Sequence, residues 1–215
     1  MSVFDLLGDA EGRDTITSRI TGVVIGVVTN NKDPDGMGRV KLSFPWLAGK
    51  DESNWARMAV PMAGKDRGIY FLPEVNDEVL VAFDHGDVRF PYVIGALWNG
   101  KDVPPAKNDD GKNNVRLIKS RSGHIIRLTD EDGDEKIEII DKSTKNSIVF
   151  DTAQNTITIT ADKDISLSAP KGTIELNAQN IQIKSSQDTK IEANAGVNVK
   201  ATGQLKVQGA TVDIN

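Results

Sequence analysis

The chain has 215 residues, a formal charge of −5 and no cysteine, which sets aside disulfide frameworks and thiolate metal sites. Mild acidity argues against nucleic-acid binding, which calls for a basic patch, and no apolar run approaches the length of a membrane-spanning helix. Ten of the eleven aromatic residues lie at or before Trp98, and seven of the eight prolines at or before Pro105. The first half can therefore build a compact core of its own, and the second half must bury its apolar residues in another way.

The chain opens on Met1-Ser2-Val3-Phe4-Asp5, without the basic and apolar regions of a signal peptide. Residues 1–19 read either as a charged arm with Phe4, Leu6 and Leu7 in a docking turn, or as a partly disordered terminus. From Ile20 the pattern becomes β. Residues 22–28 form a glycine-containing strand, and residues 30–38 a turn in which Pro34 sets φ and Gly36 accepts a positive φ. Strands follow over 39–44, 55–60, 68–72, 78–83 and 92–97, the last two joined across Asp84-His85-Gly86-Asp87. Short strands punctuated by Gly and Pro, with no helical period, predict an all-β fold whose first domain, residues 20–105, is a small antiparallel barrel.

Within that domain, Asn31-Lys32-Asp33-Pro34-Asp35-Gly36-Met37-Gly38-Arg39-Val40-Lys41 and Phe44-Pro45-Trp46-Leu47 stand in order before Trp55-Ala56-Arg57. They are followed by the run 68–83, by His85-Gly86-Asp87, by the run 92–100 and by Pro104-Pro105. This series resembles the OB-fold of phage baseplate assembly protein V, a module that also occurs in the VgrG spikes of type VI secretion systems. The resemblance covers residues 20–105, and Arg121-Ser122-Gly123-His124 and the alternating tail are similar to that family as well. Each motif also has a purely architectural explanation as a turn or strand end, since Pro45 for example cannot donate to a ladder.

Residues 106–112 read as a linker too short to hold an enzymatic domain, such as the lysozyme that some spikes of this family carry. Residues 113–215 follow. Strands are expected over 115–118, 125–128 and 137–140, with a hairpin turn at 130–135. Then an apolar-polar-apolar triplet returns on average every eight residues, from Ile148-Val149-Phe150 to Val212-Asp213-Ile214. Alternation of period two marks a half-buried strand, and a strand plus a corner at a fixed period marks a β-solenoid. Two apolar side chains per repeat are too few to fill the interior of a solenoid wound from one chain. They suit a prism in which three chains share one axis, an intertwined triple-stranded β-helix. The expected trimer core is Ile157, Ile159, Ile165, Leu167, Ile174, Leu176, Ile181, Ile183, Val197, Val199, Leu205 and Val207. Nine strands stacked at about 4.8 Å would make this body roughly 40 Å long.

Chemistry is harder to find. His85 lies between Asp84 and Asp87, the makings of a base or metal ligand, but a tight strand connection carries polar residues by default. His124 follows Gly123; in a trimer its three copies would approach one axis, where an ion or simple hydrogen bonding is open. Residues 130–134 lack the spacing and terminal Glu of a calcium loop, and neither a nucleophile elbow nor a phosphate loop is present. No catalytic residue, cofactor or metal ligand is expected. The resemblance implies the central spike of a contractile injection machine, which nucleates the baseplate hub and pierces the target envelope mechanically. It implies as partners two further copies of the chain, a trimeric hub protein met by Phe4, Leu6 and Leu7, and tail tube or baseplate proteins. With eight residues after Val207 and no histidines for a metal tip, a separate PAAR-type protein is expected on Val212 and Ile214. Assembly would take place in the bacterial cytoplasm, and the product would be a virion baseplate or an injection particle. The competing reading is a trimeric fibre or adhesin whose barrel binds carbohydrate or single-stranded nucleic acid. A solenoid hydrolase would need clustered outward carboxylates, and the outward positions here are chemically mixed.

Overall fold

The computed structural model describes residues 19–47 and 52–213; Phe4, Leu6, Leu7 and Ile214 lie outside the described residues. The chain divides into two units at Asp162–Lys163. Among the described residues there is no α-helix.

In the first unit, strands β1 (Val24–Asn30), β2 (Lys41–Ser43), β3 (Arg57–Met58), β6 (Glu78–Phe83) and β7 (Pro91–Ala96) form one sheet in the order β2-β1-β6-β7-β3. Val40 and Ala56 then exchange both backbone hydrogen bonds, at 3.0 and 2.7 Å, and join the two outer strands of that order. The sheet thereby closes on itself, which removes its edges. Strand alternation dictates the interior: along β6, Val79, Val81 and Phe83 point inward, and they meet Val28, Val40, Leu42, Phe44, Ala56 and Val93. Burying each of the larger aliphatic side chains stabilises the barrel by about 1.5–3 kcal/mol. Gly26 leaves room for this packing, since a Cβ there would stand 3.1 Å from Val81 Cγ2 and 3.3 Å from the Phe44 ring.

Two expectations for the barrel need correction. It is not wholly antiparallel, because Arg57 and Met58 pair in parallel with Tyr92 and Val93. Those strands are separated by a long stretch of chain rather than a hairpin, and such a connection allows parallel pairing. Nor is 68–72 a strand. The chain instead makes a small ribbon, β4 (Ala63–Gly64) against β5 (Arg67–Gly68). Its two-residue loop sets Asp66 at φ 54°, a left-handed conformation that Asp tolerates. The ribbon ends with the Ile69 N–H donating to Met62 O, and Pro73 beyond it has no N–H to offer a ladder.

The loop from β1 to β2 is organised by one carboxylate. Asp33 accepts hydrogen bonds from the backbone N–H groups of Asp35, Met37 and Arg39, at 3.0, 3.0 and 3.2 Å. It also accepts from Arg39 Nε and Nη2, at 2.8 and 2.7 Å. The Arg39 side chain holds the Asp33 carboxyl well below the usual carboxylate range, and the backbone donors add to this. Gly36 takes φ 67° in the same loop, as its turn chemistry predicts.

The first unit also contains a second sheet, a five-stranded antiparallel meander. Its strands are β8 (Val115–Lys119), β9 (Ile125–Thr129), β10 (Lys136–Ile140), β11 (Ser147–Asp151) and β12 (Thr156–Thr160), each paired with the next. Its turns sit at the predicted polar breaks. Gly123 and Gly133 adopt φ of 103° and 79°, and Thr144 and Asn155 are left-handed as well. In the β10–β11 turn, Asp141 accepts from Ser143 Oγ at 2.8 Å and from Asn146 Nδ2 at 2.9 Å. These bonds, the one from Ser143 foremost, lower its carboxyl to about 2. Residues 115–160 thus pair their strands within one chain.

The second unit behaves otherwise. Its described residues, 163–213, pair with one another in no strand or helix. Bends fall at 170–172, 179, 186–187, 194–195, 202–203 and 210. The sole backbone–backbone hydrogen bond among the described residues there runs from the Gly172 N–H to Ala169 O, at 3.1 Å.

Candidate functional site

The pairing register of the meander places every second residue on one face. Ile118, Ile126, Ile139, Ile148 and Ile159 stand directly opposite one another from strand to strand, a row of five isoleucines across the full sheet. A second row on the same face runs Arg116, Leu128, Ile137, Phe150, Ile157. The other face carries Arg127 and Glu138, paired at 2.6 Å, and Lys136 with Asp151 at 3.9 Å. One side is therefore apolar apart from Arg116, and the other mixes these charged pairs with Leu117, Ile125, Ile140 and Val149. In the single chain the apolar side is uncovered: Ile126 and Ile139 remain 44% and 47% exposed. A hollow of about 610 Å³ lies over the isoleucine row, with Phe71 and His124 also in its lining.

Of the residues expected in a trimer core, Ile157 and Ile159 belong to this face. The other ten, Ile165, Leu167, Ile174, Leu176, Ile181, Ile183, Val197, Val199, Leu205 and Val207, lie in the second unit, and all are exposed within the single chain. Val212, the described part of the expected tip-docking pair, is exposed too. The seven large apolar residues that β8 to β11 contribute to this face were absent from the expected core. Their alternation was visible in the sequence, but which strands lie side by side and in what register was not.

Both histidines have plain surroundings. His85 takes φ 49° in a short 3₁₀ turn, and its side chain is 90% exposed, with Asp84 at 3.7 Å. His124 closes the β8–β9 turn; its N–H donates to Ser120 Oγ at 3.0 Å, and its Nδ1 accepts from the Lys142 N–H at 3.2 Å. An axial ion would have to use the other ring nitrogen. Among the described residues no three carboxylates or imidazoles converge on a metal-sized site, and no helix is long and apolar enough to cross a membrane.

The barrel carries one open groove of about 700 Å³, whose lining includes Met37, Met62, Tyr70 and Phe71 with Arg57 and Arg67. Arg57 lies over the Tyr92 ring, 5.6 Å from its centroid. Arg39, at the same groove, is already neutralised by Asp33 and Asp35.

Residues 24–98 match the family described as the type VI secretion system/phage-baseplate injector OB domain. The chain is 27% identical over 144 residues to the type VI secretion system spike protein VgrG1a of Pseudomonas aeruginosa, an alignment covering 62% of this chain and 22% of that protein. It is 31% identical over 111 residues to the spike protein VgrG3 of Vibrio cholerae, covering 48% and 11%. It is 26% identical over 182 residues to a Vibrio cholerae protein named actin cross-linking toxin VgrG1, covering 82% and 14%. The chain thus spans roughly a fifth or less of the length of the curated relatives it matches.

Proposed function

We propose, from the membership of residues 24–98 in the injector OB-domain family, that this VgrG-like baseplate chain is the structural spike of a contractile injection system, and that it works as a homotrimer. The observation that carries the reading is the second unit. About fifty residues turn a corner at a mean interval of eight, expose two apolar side chains per repeat and leave their backbone without partners. Unpaired N–H and C=O groups and exposed aliphatic side chains both demand cover. Two further copies supply both at once: strands from neighbouring chains complete the ladders, and inward Ile, Val and Leu fill a shared axis. The product is a triple-stranded β-helix over residues 163–213.

Rigidity is the function of such a body. Each layer would be bonded to all three chains, so bending requires breaking bonds in several chains together. Axial force from the machine passes through it to the target envelope, with no bond made or broken. This role needs no cofactor and no catalytic group. The relatives named as spike proteins support it. The partners in this reading are the other two copies, a trimeric hub protein, tail tube or baseplate proteins, and a PAAR-type tip protein meeting Val212.

The groove with exposed Tyr70 and Phe71 beside Arg57 and Arg67 favours the second reading, a barrel that binds an extended ligand. Net charge weighs against a polyanion. Native mass spectrometry of the full chain tests the proposal. The expected mass is three times the 23.3 kDa of one chain, with resistance to SDS before heating; a monomer overturns it.

A further inference from the structure

We infer that the isoleucine face of the meander is a trimerisation collar that fixes the register of the three chains. The inference rests on the trimeric reading above and adds to it which residues set the alignment. The repeats of residues 163–213 are nearly interchangeable. Val197-Asn198-Val199, Leu205-Lys206-Val207 and the triplet from Val212 each begin two residues after a bend, as do those from Ile174 and Ile181, so a chain displaced by one repeat still presents mostly apolar residues inward and polar residues outward. Strands specify register where their side-chain pattern is unique and weakly where it repeats. A shaft of this kind cannot by itself distinguish aligned chains from staggered ones.

The meander can. Its strands are locked to one another within the chain by continuous antiparallel pairing from β8 to β12. Its face has a fixed position and outline. The row Ile118, Ile126, Ile139, Ile148, Ile159 lines one hollow, and the ion pairs Arg127–Glu138 and Lys136–Asp151 make the opposite side the costlier one to bury. Nine large apolar side chains, eight of them 39–66% exposed and Ile148 less so, present on the order of 700 Å², close to the ~800 Å² per partner of a stable interface. Monomers seldom leave a contiguous apolar patch of that size in water. The occupant is the same face on the other two copies. The row ends at Ile159, and the unit that needs those copies for its ladders begins at Lys163.

The absence of cysteine from the sequence makes a clean test possible. Full-length chains carrying Val197→Cys and Leu205→Cys are oxidised, and their disulfides are mapped by proteolysis and mass spectrometry, alongside native mass. With the collar intact, the expected product is a trimer with 197–197 and 205–205 links between chains. With Ile126→Asp and Ile139→Asp added, the expected result is at least a fivefold fall in those links, through staggered 197–205 links or loss of the trimer. Tryptophan fluorescence reports whether the barrel stays folded, and Arg127→Ala on the charged face of the same sheet should leave the links unchanged. A monomer with the collar intact overturns the trimeric reading itself. A trimer that keeps its aligned links after both aspartates are introduced overturns the collar alone.

Discussion

Asp33 shows how much one side chain contributes to a loop of this barrel. Its side chain is 3% exposed and its two oxygens bind three backbone N–H groups and a guanidinium. Because folding lowers its pKa, its contribution to stability is fully present above the unfolded value of 3.8 and is lost as the pH falls below that value toward the depressed one. Asp33→Asn keeps the shape, cannot take the charge and turns one acceptor into a donor. The expected outcome is a lower melting temperature for the barrel, with a deficit that is constant from pH 7 to about 5 and narrows below about 4. Circular dichroism melts across that range check it; a deficit independent of pH would show that the carboxylate's charge plays no part.

At the scale of elements, β8 to β10 read only as irregular strands, while the alternation of β12 was plain in the sequence, because a half-buried strand must repeat every two residues. So were the turns, since Gly36, Gly123 and Gly133 stand where a positive φ is required. Three things were hidden. The parallel pairing of Arg57 with Tyr92 depends on how distant segments meet, which no local pattern encodes. The β4–β5 ribbon is too short to show a period. The isoleucine row exists only through cross-strand register, and its members are scattered over some forty residues of sequence. The second unit reversed the difficulty: its repeat was legible, while its backbone finds no partner within the chain. Gln182→Pro probes that directly. The lost N–H bonds to nothing within the chain, so a monomer would not register the change. In a trimer it removes three interchain bonds, worth about 1 kcal/mol each, and the expected result is dissociation of the SDS-resistant species at lower temperature. Unchanged dissociation would mean that Gln182 lies outside any ladder.

For the whole molecule, the two kinds of β structure divide the labour. The barrel and the meander meet their hydrogen bonds within one chain and can form before assembly. In the proposed trimer residues 163–213 would gain backbone partners only on assembly, which would make their folding concentration-dependent. The charge distribution suits this sequence of events: −4 falls before Asn113 and −1 after it, which leaves the associating part nearly neutral and limits repulsion among three copies. In the proposed trimer, force applied along the axis would meet a body with no free lateral edge at which to start unravelling.

The bends at 186–187 and 194–195 stand eight residues apart, as do those at 194–195 and 202–203. Insertions and deletions in whole units of eight therefore leave every corner in phase, and reach becomes a quantity that can evolve without redesign of the fold. Excising residues 187–194 joins one corner to the next. It should give an assembly of the same stoichiometry, shorter by about one strand spacing of 4.8 Å per layer removed, whereas excising four residues should put the inward positions out of phase and abolish it. Electron micrographs of the two deletion variants would read the difference as a ruler loses a division.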